Sequence, residues 1–290
     1  MKKFISKTAI FILVPIVAYS GVFAIVKFDF QNRLEKHEII ILGDSQTEFI
    51  QNDKIYNHSI HGSPYFVHYQ FAKEFRSSLK GKKVYIACNY QNLSAMYQNR
   101  LVNDSLFPGW KNAMLNRMDD FTLLNSKHEE ISAEPRTDFS FFTGKKLPKL
   151  IYNLYIKEDR RNSSRKVKDS AVIIADFRRH WEQPEYTLND TIQRAYLQKL
   201  ITLLKDEDCE VILLKMPLLK LYSDAVPERI KQELYAIAHK NGVRLLDVDA
   251  ALSISNNFGY FKDYGHLNRS GDSIINTYFA EKELEVSTSF

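Results

Sequence analysis

Apolar and polar positions divide the chain into an uncharged head, a region of alternating strand and helix signals, and an unpatterned middle. Thr8 to Val26 carries no charge and follows Lys2, Lys3 and Lys7. At about 1.5 Å per residue a helix of that length spans a hydrocarbon core of about 30 Å, and Pro15 and Gly21 are tolerated there. A cleaved signal peptide ending at Val22-Phe23-Ala24 competes with this reading. The run exceeds a usual signal core and continues past that site, which favours an uncleaved transmembrane anchor over residues 1–30. Gln31 to Glu38 then reads as a short polar linker.

From Ile39 onward short apolar runs alternate with helical periods. Strands are predicted at Ile39–Leu42, Tyr56–Ile60, Val84–Cys88, Glu210–Leu214 and Val243–Val248. Helices are predicted at Tyr65–Leu79, at Pro227–His239 before Asn241-Gly242, and at Ser270–Leu284. Another starts from a cap at Asn189 or Asp190 and buries Ile192, Ala195, Tyr196, Leu200, Leu203 and Leu204. Apolar strands joined by helices imply a parallel sheet covered on both faces. The expected fold is α/β, a three-layer α/β/α flavodoxin-like sandwich of about five parallel strands, occupying residues 31–290.

The alternation disappears between residues 94 and 186. This stretch holds Phe107, Trp110, Phe139, Phe141, Phe142, Tyr152 and Tyr155, and a basic run from Lys145 to Lys168 opposed only by Glu158 and Asp159. An irregular insertion of this length is either a solvated helical face with ordinary core aromatics, or a lid whose cations meet an anionic glycan or lipid headgroups.

Composition narrows the function classes. Of 290 residues 44% are hydrophobic and 26% charged, a globular balance, and a net charge of +5 does not call for a nucleic-acid partner. The two cysteines, Cys88 and Cys209, fall at opposite ends of two predicted strands. In neighbouring parallel strands they lie on the order of 10 Å apart, too far to bridge. Lysines and arginines balance across the apolar head, but a long following domain translocates largely regardless of charge, so residues from about 30 onward are placed outside the membrane.

Candidate chemistry concentrates at two places. Gly43-Asp44-Ser45 ends the first apolar strand, which sets the Ser45 hydroxyl and backbone N–H at the carboxyl edge of the sheet, where ligands bind in open parallel sheets. Asp263 and His266 are three residues apart, a spacing that lets both side chains share one face of a turn. A hydroxyl needs a base within reach, and an imidazole needs a carboxylate to hold its tautomer. Ser45, His266 and Asp263 are therefore the candidate nucleophile, base and orienting acid. A second Gly-Asp-Ser at Gly271–Ser273 follows no strand and reads as a helix cap. His58 and His61 sit at odd spacing with no third ligand, so no metal site is expected; His61, beside Gly62, could line the site.

These motifs together resemble the SGNH (GDSL-like) hydrolase superfamily. Its serine block matches Gly43-Asp44-Ser45 and its Asp-x-x-His block matches Asp263 to His266. Its glycine block matches Asn57-His58-Ser59-Ile60-His61-Gly62. Its Gly-x-Asn-Asp block is matched in part by Ala87-Cys88-Asn89-Tyr90, with Ala87 replacing glycine and Tyr90 replacing aspartate. The resemblance spans residues 38–284 and is weak across the insertion. It implies an oxyanion hole from Ser45 N–H, Gly62 N–H and the Asn89 side-chain amide, and no cofactor. The anchor and the ending Gly265-His266-Leu267-Asn268 are similar to membrane-tethered members that work on cell-envelope polymers, such as teichoic acid D-alanylation partners and exopolysaccharide O-acyltransferases. That narrower resemblance implies an acylated glycan substrate and, for a transferase, a multi-pass membrane partner that supplies the acyl group. Hydrolysis and transfer use the same residues and stay open. So do a non-catalytic envelope scaffold, which Ala87 and Tyr90 would suit, and a phospholipase at the bilayer surface.

Overall fold

A computed structural model describes residues 27–102, 169–183 and 191–283, together with residues 21, 24 and 25. Most of the expected anchor lies outside the described residues, as do the basic run, the Asn189 or Asp190 cap and Leu284. Among the described residues no helix is long and apolar enough to cross a membrane.

The chain forms a five-stranded parallel sheet of order β2-β1-β3-β4-β5, with β1 at Ile39–Gly43, β2 at Ile55–Ser59, β3 at Lys83–Ala87, β4 at Glu210–Lys215 and β5 at Arg244–Asp247. β1 is buried along its whole length, as a central strand covered on both faces must be. Helices are α1 over 27–36, α2 at Tyr65–Glu74, α3 at Arg76–Leu79, α4 at Ala95–Val102, α5 at Ser170–Trp181, α6 at Thr191–Asp206, α7 at Lys220–Ala225, α8 at Glu228–Asn241, α9 at Val248–Leu252 and α10 at Arg269–Tyr278. With this strand order, the right-handed sense general to parallel crossovers puts α2, α6 and α8 on one face. The other is covered from α10, whose continuation Phe279 packs edge-on against the Tyr85 ring at 5.7 Å.

Three expectations change. The polar stretch Gln31–Glu38 is mostly helix, not linker: α1 runs through it and buries Phe30 and Leu34, with Phe30 packed on Phe71 and Phe75. The helix predicted over Tyr65–Leu79 breaks at Phe75, whose φ of −107° leaves the helical range. The insertion is not irregular at its ends, because α4 and α5 are regular helices. Other signals hold as read. α8 starts after Pro227 and stops at Gly242, which takes φ +59°, and both cysteines are buried and unbridged.

The order places β1 between β2 and β3, so chain direction across the sheet reverses there. In open α/β sheets that switch point opens a crevice beyond the strand ends. Ser45 lies two residues past β1 and Asn89 two residues past β3.

Candidate active site

Gly43 is where the turn carrying Ser45 begins, and only glycine fits. A Cβ there would overlap Thr47 Oγ1 and come within 2.7 Å of Ser59 Oγ. Thr47 and Ser59 hydroxyls sit 2.7 Å apart, and the Thr47 N–H and hydroxyl both donate to Asp44 O at 3.2 Å. From β2, Asn57 Nδ2 donates to Thr47 O at 2.7 Å and Ile50 O at 2.8 Å, closing the turn. Asp44 is buried and accepts from Gln46 N and from Asn92 Nδ2, each at 2.9 Å. Ser45 is left half-buried at the carboxyl edge.

The loop after β5 delivers the partner groups. Phe261 pairs antiparallel with Leu267, and Lys262 N–H donates to His266 O at 2.7 Å, pinching residues 262–266 into a tight turn. Asp263 Oδ1 accepts the backbone N–H groups of Gly265 at 3.0 Å and His266 at 2.8 Å. His266 Nδ1 lies 2.8 Å from Asp263 Oδ2, and Nε2 lies 2.7 Å from Ser45 Oγ. An ionised carboxylate only accepts, so Nδ1 carries the proton and Nε2 is free to accept from the Ser45 hydroxyl.

Burial alone lowers the His266 pKa. The hydrogen bond and charge of Asp263 outweigh it, with a smaller push from Asp44, and raise the imidazole above its ordinary value. Burial raises Asp263, but hydrogen bonding to His266 and to the two backbone N–H groups overrides that, and the carboxyl ends below its usual value.

Gly62 follows β2 in a turn with φ +68°. Next to it Ser63 Oγ donates to Gly43 O at 3.1 Å and meets His68 Nε2 at 2.7 Å, fastening the turn to the end of β1. The Asn89 amide is buried and donates to Gln46 Oε1. Gln91 Nε2 donates to the same oxygen at 2.6 Å, and Gln46 Nε2 donates to Gly265 O at 3.1 Å. Tyr90 takes another course. Its ring lies 5.1 Å from the Lys215 ammonium, which pairs with Asp247 at 2.8 Å, and burial pushes its phenol up to about 12.

A cavity of about 270 Å³ opens beside Ser45, lined also by Glu48, His61, Lys262, His266 and Asp272. The His61 ring lies nearly parallel to that of His266, centroids 6.2 Å apart. A larger groove of about 1000 Å³ beside α10, lined by Leu252, Tyr260, Arg269 and Tyr278, contains none of these residues. Size here does not locate the chemistry.

Sequence spacing missed Gln46, whose side-chain partners are 43 to 219 positions away, and the support under the Asp263 loop. From α5, His180 is buried with Nδ1 2.9 Å from the Tyr222 hydroxyl and Nε2 3.5 Å from that of Tyr264. Burial pushes this imidazole down to about 3, so it is neutral. Asp176, one turn earlier, is raised by burial and feels the charges of Asp263 and His266. The second Gly-Asp-Ser lies in the first turn of α10 and is not its cap; Asn268 caps that helix, accepting from Ser270 N and Gly271 N. His58 is half-buried, its ring stacked on that of Phe71 with centroids 3.7 Å apart. Among the described residues no cluster of three or more His, Cys, Asp or Glu is arranged to hold a metal ion.

Compared with models of known protein families and with curated proteins, the sequence matches none.

Proposed function

We propose that this chain is a serine ester hydrolase or O-acyltransferase of the SGNH type, tethered outside a membrane by its N-terminal segment and acting on acyl esters of cell-envelope glycans. The observation that carries the reading is the relay of Ser45 Oγ, His266 Nε2 and Asp263 Oδ2, at 2.7 and 2.8 Å, at the carboxyl edge of a parallel sheet. An orphan hydroxyl is a poor nucleophile; one that donates to an imidazole fixed by a carboxylate is not.

The steps follow from the positions. His266 Nε2 takes the Ser45 proton as Oγ adds to the ester carbonyl carbon. The carbonyl π pair moves onto oxygen, which receives N–H donors from Ser45, Gly62 and Asn89. Asp263 holds the imidazolium. The oxyanion collapses and the C–O bond breaks; His266 returns its proton to the departing alcohol. Water or a sugar hydroxyl, deprotonated by the same imidazole, then releases the acyl group. When a sugar is the acceptor, a multi-pass membrane partner is the proposed source of acyl groups.

The cavity of about 270 Å³ is just below the ~300–1,000 Å³ of typical ligand sites. It supports a short acyl group over a fatty chain. The test compares wild type with Ser45→Ala for acetate release from acetylated sugars and for labelling by a serine-directed fluorophosphonate. Loss of both, by about 10⁴-fold or more in kcat, is expected. Equal rates in the two proteins would refute the assignment.

A further inference from the structure

Gln46 follows the nucleophile in sequence and is only 4% exposed, and its backbone N–H and both polar atoms of its side chain are hydrogen-bonded. Its backbone N–H goes to Asp44 Oδ1, its Oε1 takes Asn89 Nδ2 and Gln91 Nε2, and its Nε2 goes to Gly265 O. One residue thus links the segments that hold Ser45, Asn89 and the Asp263–His266 pair.

The chemistry of these partners dictates which way each amide points. Gly265 O is a backbone carbonyl and can only accept, so the Gln46 NH₂ must face it. The Gln46 oxygen must then face residues 89 and 91, and both must present NH₂ groups. Asn89 Oδ1 and Gln91 Oε1 are left buried with no hydrogen-bond partner among the described residues. Turned the other way, either amide would set its oxygen against the Gln46 oxygen, which is worse than leaving its outer oxygen without a partner among these residues. Asn89 is instead held donor-first, with one N–H on Gln46 and a second N–H uncommitted to it. Gly265 belongs to the same arrangement, because a Cβ there would overlap Gln46 Nε2.

We infer that Gln46 is the positioning residue of the oxyanion hole: its side-chain carbonyl holds the Asn89 amide donor-first, while its amide locks that pair to the loop carrying His266. The inference rests on the esterase reading above. Gln46 contacts neither substrate nor reacting atoms and acts through Asn89.

The experiment uses the full chain with 4-nitrophenyl acetate as the ester and a fluorophosphonate as an independent probe of Ser45. Gln46→Met keeps the volume and removes the acceptor. It is expected to lower kcat about 10²-fold with KM within threefold, as loss of one oxyanion donor does. Asn89→Ala is expected to match it, and the double variant to fall no further than threefold below Asn89→Ala, since both changes remove one function. Wild-type kcat in Gln46→Met, or a double variant showing the product of the two losses, would overturn the inference. If melting curves show Gln46→Met unfolded, Gln46→Glu replaces it, keeping acceptors for Asn89. In that background Asn89→Ala must still cost about 10²-fold; no further loss overturns the inference. A wild type that neither hydrolyses the ester nor labels at Ser45 removes the esterase reading and this inference with it. Failure of the Gln46 variants alone, against an active wild type, removes only the inference.

Discussion

Asp263 grips His266 at two points: Oδ2 meets the imidazole Nδ1 at 2.8 Å, and Oδ1 accepts the backbone N–H of His266 at 2.8 Å. The two contacts separate in an amide. In Asp263→Asn the side-chain oxygen still accepts the backbone N–H groups, so the turn persists. The NH₂ then faces Nδ1 and forces the proton onto Nε2, where it opposes the Ser45 hydroxyl. Activity is expected to fall about 10⁴-fold, the loss a wrong tautomer costs in serine hydrolases, with the urea midpoint nearly unchanged. Ester hydrolysis and urea titration of the purified variant check both halves.

The raised His266 pKa sets the acid limb of the pH profile. In the proposed mechanism neutral imidazole is the base, so kcat/KM is expected to rise about tenfold per pH unit and level off above an inflection higher than 6.5. Residual activity of Asp263→Asn should inflect at lower pH, because the group that raises the imidazole has gone. A plateau already reached below pH 6 in the wild type would contradict this account.

Gly43→Ala should destabilise the fold by about 1–3 kcal/mol, the usual cost of overpacking. The added methyl meets Thr47 Oγ1 and Ser59 Oγ, which hold one another across the turn and cannot both retreat. The turn carrying Ser45 would shift with them, so the ester rate should fall as well. Urea unfolding gives the first number and initial rates the second.

Three histidines held neutral by the fold predict acid sensitivity. His58 and His180 are pushed down to about 3, and His68 to about 4, mainly by burial. Below the ordinary value of 6.5 the unfolded chain takes up protons that the folded protein refuses. Stability is therefore lost as pH falls, by about 1.4 kcal/mol per unit for each imidazole. His266 acts in the opposite sense, adding stability below 6.5 that is lost as pH rises through its elevated folded value. His58→Phe, which keeps a ring on Phe71, should make the slope between pH 6 and 4.5 shallower by one histidine's share. Urea midpoints across that range measure it.

Short-range signals were legible. The run Ile39–Leu42 announces a strand buried on both faces, Pro227 and Gly242 bracket α8, and Asp263 and His266 are close enough in sequence for one turn to join them. Each rests on forces acting within a few residues: φ restriction, helical or strand period, a local turn. The break at Phe75 and the docking of α1 through Phe30 were not legible, because tertiary packing overrode local preference in both.

By itself, then, the chain's pattern determined the parallel α/β sheet and singled out Ser45, His266 and Asp263 as one candidate site. Tertiary structure alone decided the strand order, the 2.7 Å approach of His266 to a serine 221 positions away, the His61 ring beside it, and the amide hub at Gln46. Such contacts depend on which loops the sheet brings to one edge. No local period records that, because a buried amide chooses its partners by distance and donor type after the backbone has folded.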